Sequence, residues 1–259
     1  MTRNRAIHLL AAAALSGFAA CSKDSTSPSP LINDAQVTAD VANTAGDAIA
    51  TDVATMIGND SATALPAPPL AFDLFGAAND TLVVVRSRTC YDASDAVVTN
   101  CLPLSSVRRI VFHLTLDGSR TGATFTALVH RTRDWTLTRL FTSGTETARQ
   151  HDGAGAGNDT AVVTTATMTR THATSALDSV VAVVFDLPRA SNPWPASGMM
   201  VRRATIHVTF QNATTQVTKD YSKRVEVDFP ADAQGNVALK IDAQTCNLNL
   251  VTRAVTNCH

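Results

Sequence analysis

The sequence is poor in charged and aromatic side chains. Charged residues make up 17% of the chain and aromatic residues 5%, whereas a typical globular domain has about a quarter charged residues. No cluster of lysines and arginines is interleaved with aromatic residues, so we exclude a nucleic-acid partner, which would require such a surface. The only glutamates are Glu146 and Glu226. A glycosidase site built from paired carboxylates would therefore have to use aspartates.

Several catalytic and metal-binding motifs are also absent. The chain has no G-x-S-x-G nucleophile elbow and no C-x-x-C pair, which are signatures of α/β-hydrolases and of many zinc sites. The sequence therefore predicts no catalytic residue, no cofactor and no metal site, and it favours a non-enzymatic protein. An envelope hydrolase stays open as an alternative, because catalytic side chains can converge from distant positions.

The N-terminus has the layout of an export signal. Arg3 and Arg5 precede an apolar run at 7–14, and small residues lead to Cys21. That run is too short to span a bilayer core, which needs roughly 20 apolar residues. The stretch Phe18-Ala19-Ala20-Cys21 resembles the lipobox of bacterial lipoproteins, although that family usually has Leu where Phe18 stands.

The lipobox resemblance implies a signal peptide at 1–20, lipidation of Cys21 and a flexible tether at 21–31. Ser22 after the cysteine implies sorting to the outer membrane, on its periplasmic or cell-surface side. The partners expected on this basis are the membrane, through the lipid anchor, and another envelope protein. The alternative is a secreted protein in which Cys21 is unmodified.

Four further cysteines predict two disulfides. Cys90 and Cys101 form one local pair, and Cys246 and Cys258 form the other. Each pair brackets a polar turn, so a hairpin would bring the two cysteines to the separation that a disulfide requires. In an exported protein an even number of cysteines favours bridges over metal binding. Both hairpins end in the tetrapeptide V-T-N-C.

Charge is divided unevenly between the two ends of the chain. Between Asp24 and Val85 there are eight aspartates and no lysine or arginine, whereas positive charge is in excess from Arg86 onward. In the same region, apolar residues recur every fourth position from Val37 to Ile57, which predicts an amphipathic helix at 33–57 capped by Asn33 or Asp34. We expect this acidic segment to dock on a basic sheet of the same molecule. The alternative is recruitment of a cationic partner.

The remainder of the chain alternates apolar and polar residues as β-strands do. Strands are expected at 81–88, 107–116, 125–129, 135–141, 160–171, 179–187, 201–210, 218–229 and 236–241, followed by the second cysteine hairpin. The fold class is therefore mainly β, an α+β fold: a long antiparallel meander curled into a half-barrel or sandwich with the helix packed on it. One domain is expected at 32–259.

This order of tether, helix and meander is similar in architecture to bacterial half-barrel carriers of lipids or lipoproteins. It leaves two functions open, a rigid binding or interaction module and a periplasmic carrier of an apolar ligand. A carrier would line its cavity with the face of Phe112, Leu114 and Val129. A module would instead have the helix filling that face. We favour the filled state, because an isolated amphipathic helix needs a surface to cover.

Three local motifs have both a chemical and a structural interpretation. The stretch HDGAGAGNDTAV at 151–162 resembles one turn of a calcium-binding toxin repeat, but a single turn supplies only some of the ligands, and a flexible glycine-rich loop is favoured. His113, His130 and His207 share the polar side of their strands and could form a zinc site or lie on a solvated face. Trp194, flanked by two prolines, could offer an apolar contact surface or fold back over the sheet rim, which is favoured.

Overall fold

The computed structural model describes residues 32–61, 81–189 and 192–259. All of them belong to a single unit. The predicted signal peptide at 1–20, Cys21, the predicted tether up to residue 31 and residues 62–80 lie outside the described residues. Within the described part, α1 does not have the combination of length and apolarity needed to cross a bilayer.

Within the described residues the elements are one long helix, eleven strands and two short 3-10 helices at Thr99–Cys101 and Leu104–Ser106. The helix α1 spans Asp34–Ser61. The strands are β1 (Val83–Tyr91), β2 (Val97–Val98), β3 (Arg109–Thr121), β4 (Thr126–Thr142), β5 (Thr145–Thr164), β6 (Thr169–Asp186), β7 (Ser197–Gln211), β8 (Gln216–Asp228), β9 (Asn236–Ile241), β10 (Gln244–Asn249) and β11 (Val255–Thr256).

The strands form one antiparallel sheet in the order β11-β10-β9-β8-β7-β6-β5-β4-β3-β1-β2. From β3 onward each strand pairs with the next one along the chain, and β1 pairs with both β2 and β3. The predicted mainly-β fold with a long meander and one packed helix is confirmed. The strands form one sheet that is not closed into a barrel.

Three predicted boundaries are wrong. The glycine-rich stretch at 151–162 is not a loop but lies within the 20-residue strand β5. The single strand expected at 160–171 is the end of β5, a turn and the start of β6. The two separate strands expected at 125–129 and 135–141 are one continuous strand, β4.

Helix α1 begins as expected. The side-chain oxygen Oδ1 of Asn33 accepts a hydrogen bond from the Ala35 N–H at 2.9 Å, which satisfies one of the free donors of the first turn. Residues 45–53 are all buried, so this part of the helix is enclosed around its whole circumference. The helix approaches β9, β10 and β11 at one end of the sheet and β5 in its middle.

The main core lies between α1 and one face of the sheet, which we call the inner face. Val37, Val41, Ile49 and Val53 of the helix are at most 4% exposed, as predicted for a helix that fills the sheet. They share one apolar cluster with the alternate, inward-pointing residues of β3, β4 and β6 to β10. The opposite side of the sheet, the outer face, carries mostly exposed polar and small residues.

Both edges of the sheet end in a short strand and a disulfide. Cys90 of β1 is bonded to Cys101, and Cys246 of β10 to Cys258, so the two predicted pairings are confirmed. The first V-T-N-C tetrapeptide begins at Val98, the last residue of the edge strand β2, and the second begins with the edge strand β11; each of these strands is only two residues long. Short, stapled edge strands limit pairing with strands of another chain. Cross-links closing loops of this size contribute about 3 kcal/mol each.

Candidate functional site: the buried ion network and the outer face

Three aspartates of α1 form ion pairs with basic residues of the inner face. Oδ2 of Asp40 accepts a hydrogen bond from Nε of Arg170 at 2.6 Å and lies 3.0 Å from Nε2 of His172. Asp47 accepts a hydrogen bond from Nη2 of Arg120 at 2.7 Å. Asp52 accepts one from Nη2 of Arg133 at 3.0 Å. These contacts support the expectation that the acidic segment docks on a basic sheet of the same molecule.

Asp47 connects opposite ends of the sheet. Besides Arg120 on β3, it accepts a hydrogen bond from Nη1 of Arg253 at 3.3 Å, and Arg253 lies in the turn between β10 and β11. The curled sheet therefore wraps around the helix far enough for both ends to reach one carboxylate.

Asp52 begins a chain of six alternating charges. Arg133 bonds both Asp52 and Asp178, the second at 2.9 Å. Arg202 then bonds both Asp178 and Asp159, at 3.0 and 2.9 Å. Asp159 ends the chain by accepting from Arg131 at 2.7 Å. Every member is buried.

The aspartates of this chain titrate differently according to their neighbours. Burial alone would raise the pKa of Asp159, but Arg131 and Arg202 outweigh it and lower that pKa below its usual value. Burial raises the pKa of Asp52, and Arg133 offsets only part of the rise because Asp178 repels its charge. Of Asp52 and Asp159, Asp52 is therefore the carboxyl that more readily takes up a proton.

The glycines of β5 make room for this network. Register places Gly155 beside Arg133 on β4 and beside Asp178 on β6. A Cβ on Gly155 would lie 2.6 Å from Cδ of Arg133 and from the Thr132 carbonyl oxygen. Gly157 lies beside Arg131 in the same way, with a corresponding distance of 3.0 Å to its Cγ. The glycines of the motif at 151–162 therefore leave room for two arginine side chains. The aspartate of the motif, Asp159, is bonded to Arg131 and Arg202.

We expect Gly155→Ala to lower the free energy of unfolding by about 1–3 kcal/mol, because the added methyl group collides with Arg133 and with backbone. Ala156→Ser is the matched control, since Ala156 is the next residue of β5 and is exposed on the outer face. It should change stability by less than about 0.5 kcal/mol. Urea denaturation measures both. Equal stability of the two variants would contradict this account of the glycines.

The three strand histidines do not meet. His113 Nδ1 lies 2.7 Å from Oδ1 of Asp134, and His207 Nδ1 lies 2.7 Å from Oδ1 of Asp220. His130 contacts Asp117 in the same manner. Each histidine thus lies against its own cross-strand aspartate on the exposed outer face. The described residues contain no group of three or more potential ligands that could hold a metal ion.

A patch of small and apolar residues occupies the middle of the outer face. Leu128 on β4 and Leu177 on β6 are 66% and 65% exposed. The positions between them are mostly small and exposed: Ala156, Asn158, Thr160, Ala173 and Ser175. We call these seven residues the outer patch. Small side chains around two exposed leucines let another surface approach the sheet closely.

The four residues predicted to contact a ligand are covered by the protein itself. Phe112 and Leu114 are 2% and 0% exposed in the main core, and Val129 is 4% exposed in a smaller cluster with Phe125. Trp194 is 7% exposed and belongs to the main core, as expected of a side chain that folds back over the sheet. None of the four offers an open surface to a ligand in this state.

Two cavities between the helix and the sheet, both lined by described residues, have volumes of only about 20 and 10 Å³. Ligand pockets ordinarily have volumes of about 300–1,000 Å³. A larger groove of about 650 Å³ lies open to solvent at the sheet edge, against the first disulfide hairpin.

Sequence reasoning missed the arginines of the network. Arg131 and Arg133 alternate with Val129 and Trp135 on β4, so strand periodicity alone assigns them to the buried face. This alternation is the sequence signal that indicates a buried position for the two arginines. A charged residue in an apolar alternation points to a buried ion pair, since an unpaired charge there is too costly.

No family model, curated protein or solved structure matches the chain. The class of protein is therefore described by its architecture alone. It is an open antiparallel meander that packs around one helix and is joined to that helix by buried ion pairs.

Proposed function

We propose that the protein is a lipid-anchored, non-enzymatic interaction module of the bacterial outer membrane, which presents the outer face of its sheet to another envelope protein. The observation that carries the proposal is the helix that fills the inner face. Residues 45–53 are buried there, and three helix aspartates are bonded to the sheet. The face a carrier would use for its ligand is thus occupied by the protein's own chain.

The outer patch supports the choice of surface. It combines the exposed Leu128 and Leu177 with small neighbours, on strands held rigidly by pairing on both sides. Exposed apolar residues grouped on a rigid surface are typical of protein interaction sites. The lipobox resemblance at Cys21 and the polar tether after it support attachment to the membrane at a distance that leaves this face accessible.

A photo-crosslinking residue at Leu177 tests the surface in intact cells. We expect a defined adduct with one envelope protein from position 177, and none from Val251, an exposed apolar residue in the turn between β10 and β11. Adding Leu128→Asp to the position-177 protein should reduce the adduct, because it places a charge in the same patch. Equal adducts from 177 and 251 would count against the outer patch.

Two further measurements separate the alternatives. Native mass spectrometry of protein purified from its own host should give the mass of the lipidated chain alone, and a co-purifying lipid of defined mass would instead establish a carrier. Fractionation of cells carrying Cys21→Ser should move the protein from the membrane to the soluble fraction. Retention in the membrane would refute the anchor.

A further inference from the structure

Strand β8 is paired along only part of one of its sides. Strand β7 runs beside all thirteen residues of β8, whereas β9 pairs only with residues 225–227. The turn after β9 reaches back to Arg224, whose carbonyl oxygen accepts a hydrogen bond from the Asp242 N–H at 3.0 Å. No other described strand lies along residues 216–223, which we call the open edge.

Backbone groups along the open edge face away from β7. In an antiparallel sheet the N–H and C=O of one residue point to the same neighbouring strand, and the direction alternates along the chain. Since the carbonyl group of Arg224 points toward β9, the backbone groups of alternate residues point the same way: Gln216, Thr218, Asp220 and Ser222. Within the described part of the chain these groups have no backbone partner. An unpaired row of this kind is a template for a further strand.

Side chains leave the open edge accessible. Lysines at a strand edge commonly block pairing, but Lys219 and Lys223 are held by Asp34 and Asp242, each at 2.8 Å. The alternate residues of the open edge, whose backbone groups are unpaired, are exposed. Both ends of the sheet are instead closed by a two-residue strand and a disulfide. The protein therefore protects the ends of its sheet but not this stretch of β8.

We propose that the open edge is a second interaction surface, which binds an extended segment of a different envelope protein as an additional β-strand. This mode of recognition uses backbone hydrogen bonds for affinity. The proposal rests on the envelope location proposed above but not on the outer patch. The bound segment has a basic side chain opposite Asp220, whose own side chain is 76% exposed.

Charge argues against a second copy of this chain as the occupant. Two open edges can pair antiparallel about a twofold axis at residue 219, 220 or 221. These three registers place Lys219 opposite Lys219, Asp220 opposite Asp220, and Lys219 opposite Lys223. Like charges directly opposite each other destabilise a sheet.

Amide hydrogen exchange of the purified protein tests whether the edge is open, and it requires no variant. The N–H groups of Thr218, Asp220 and Ser222 should exchange about tenfold faster than those of Lys219 and Tyr221, which point toward β7. Equally slow exchange at all five positions would overturn the proposal.

Photo-crosslinking in intact cells tests for the partner. A crosslinking residue at Ser222 should give an adduct with one other envelope protein. Adding Thr218→Pro should lower the adduct yield by about tenfold, because it removes an N–H that faces the open edge. Proline is tolerated at such positions of edge strands. Thr218→Ala is the matched control, which keeps the N–H and should retain the adduct.

Asp220→Arg is a second variant, which should also lower the yield because it places a positive charge opposite the basic side chain of the partner. An adduct of twice the mass of the chain, an adduct with lipid, or a yield that neither Thr218→Pro nor Asp220→Arg changes would overturn the proposal. The adduct from position 177 should persist in Thr218→Pro, so the open edge and the outer patch can fail separately.

Discussion

Replacing Arg133 with alanine is expected to lower the free energy of unfolding by about 3–5 kcal/mol. Arg133 is fully buried and bonds both Asp52 and Asp178. Its removal leaves Asp52 in a desolvated environment without its bonded cation and takes away one of the two arginines bonded to Asp178, and this penalty is larger than the net contribution of an intact pair. It also removes hydrogen bonds from Nη1 of Arg133 to the carbonyl oxygens of Thr132 and Ala156.

The matched control is Arg109→Ala. Arg109 is on the neighbouring strand β3 and is paired with Asp95, whose side chain is 71% exposed. Exposed pairs contribute about 0–1 kcal/mol, so this variant should remain close to wild type. Urea denaturation at pH 7 compares the two proteins. A loss of less than about 1 kcal/mol for Arg133→Ala would show that the network does not hold the helix.

The loss caused by Arg133→Ala should be smaller in mild acid. Once its bonded cation is gone, Asp52 can escape the buried charge only by binding a proton. Burial already raises the pKa of Asp52 in the wild-type protein. Repeating the denaturation at pH 5 should therefore recover part of the lost stability.

The elements that depend on local patterns could be predicted from the sequence. The four-residue spacing of Val37, Val41 and Ile49 predicted α1, and Asn33 predicted its start. Hairpin geometry predicted both disulfides, because each pair is closed by contacts near in sequence. Alternation on β3 placed Phe112 and Leu114 on one face of the strand, and this is the face that packs in the main core. In each case the interacting residues are fewer than about fifteen positions apart.

The misses come from contacts between distant parts of the chain. The glycines of β5 indicate a loop when taken alone, since glycine is unfavourable inside a strand. They occur in β5 because the side chains of Arg133 and Arg131 on β4 lie where a Cβ at these positions would be. Likewise, the partner of Asp52 lies 81 residues away. Such pairings depend on the register of strands around the helix, which no local pattern specifies.

Stability is also expected to fall as the pH drops from 7 to 5, because of His151. This histidine is buried inside β5 with its ring edge-on to Phe185, the ring centres being 5.5 Å apart. Burial lowers the pKa of His151 from 6.5 to about 3, and the charge of Arg149 adds to that effect while Asp152 opposes it. Between these two values the unfolded chain binds a proton at His151 that the folded protein does not.

The sign of the effect follows from that difference. The folded-state pKa is depressed, so the stabilisation is complete above pH 6.5 and is lost as the pH falls toward about 3. The slope is about 1.4 kcal/mol per pH unit, which amounts to about 2 kcal/mol between pH 7 and pH 5. Glu146, whose pKa is lowered from 4.5 to about 2 by Arg139 and Arg149 against the effect of burial, loses its contribution only below this window.

His151→Leu isolates this contribution. Asp52 acts in the opposite direction, because its raised pKa favours proton uptake by the folded state, but its effect is the same in both proteins and cancels in the comparison. The wild-type protein should therefore lose about 2 kcal/mol more than His151→Leu between pH 7 and pH 5. His113→Gln, at an exposed histidine of the outer face, should retain the wild-type slope. If His151→Leu shows the wild-type slope as well, another group causes the loss of stability, and His151 takes up its proton without unfolding the protein.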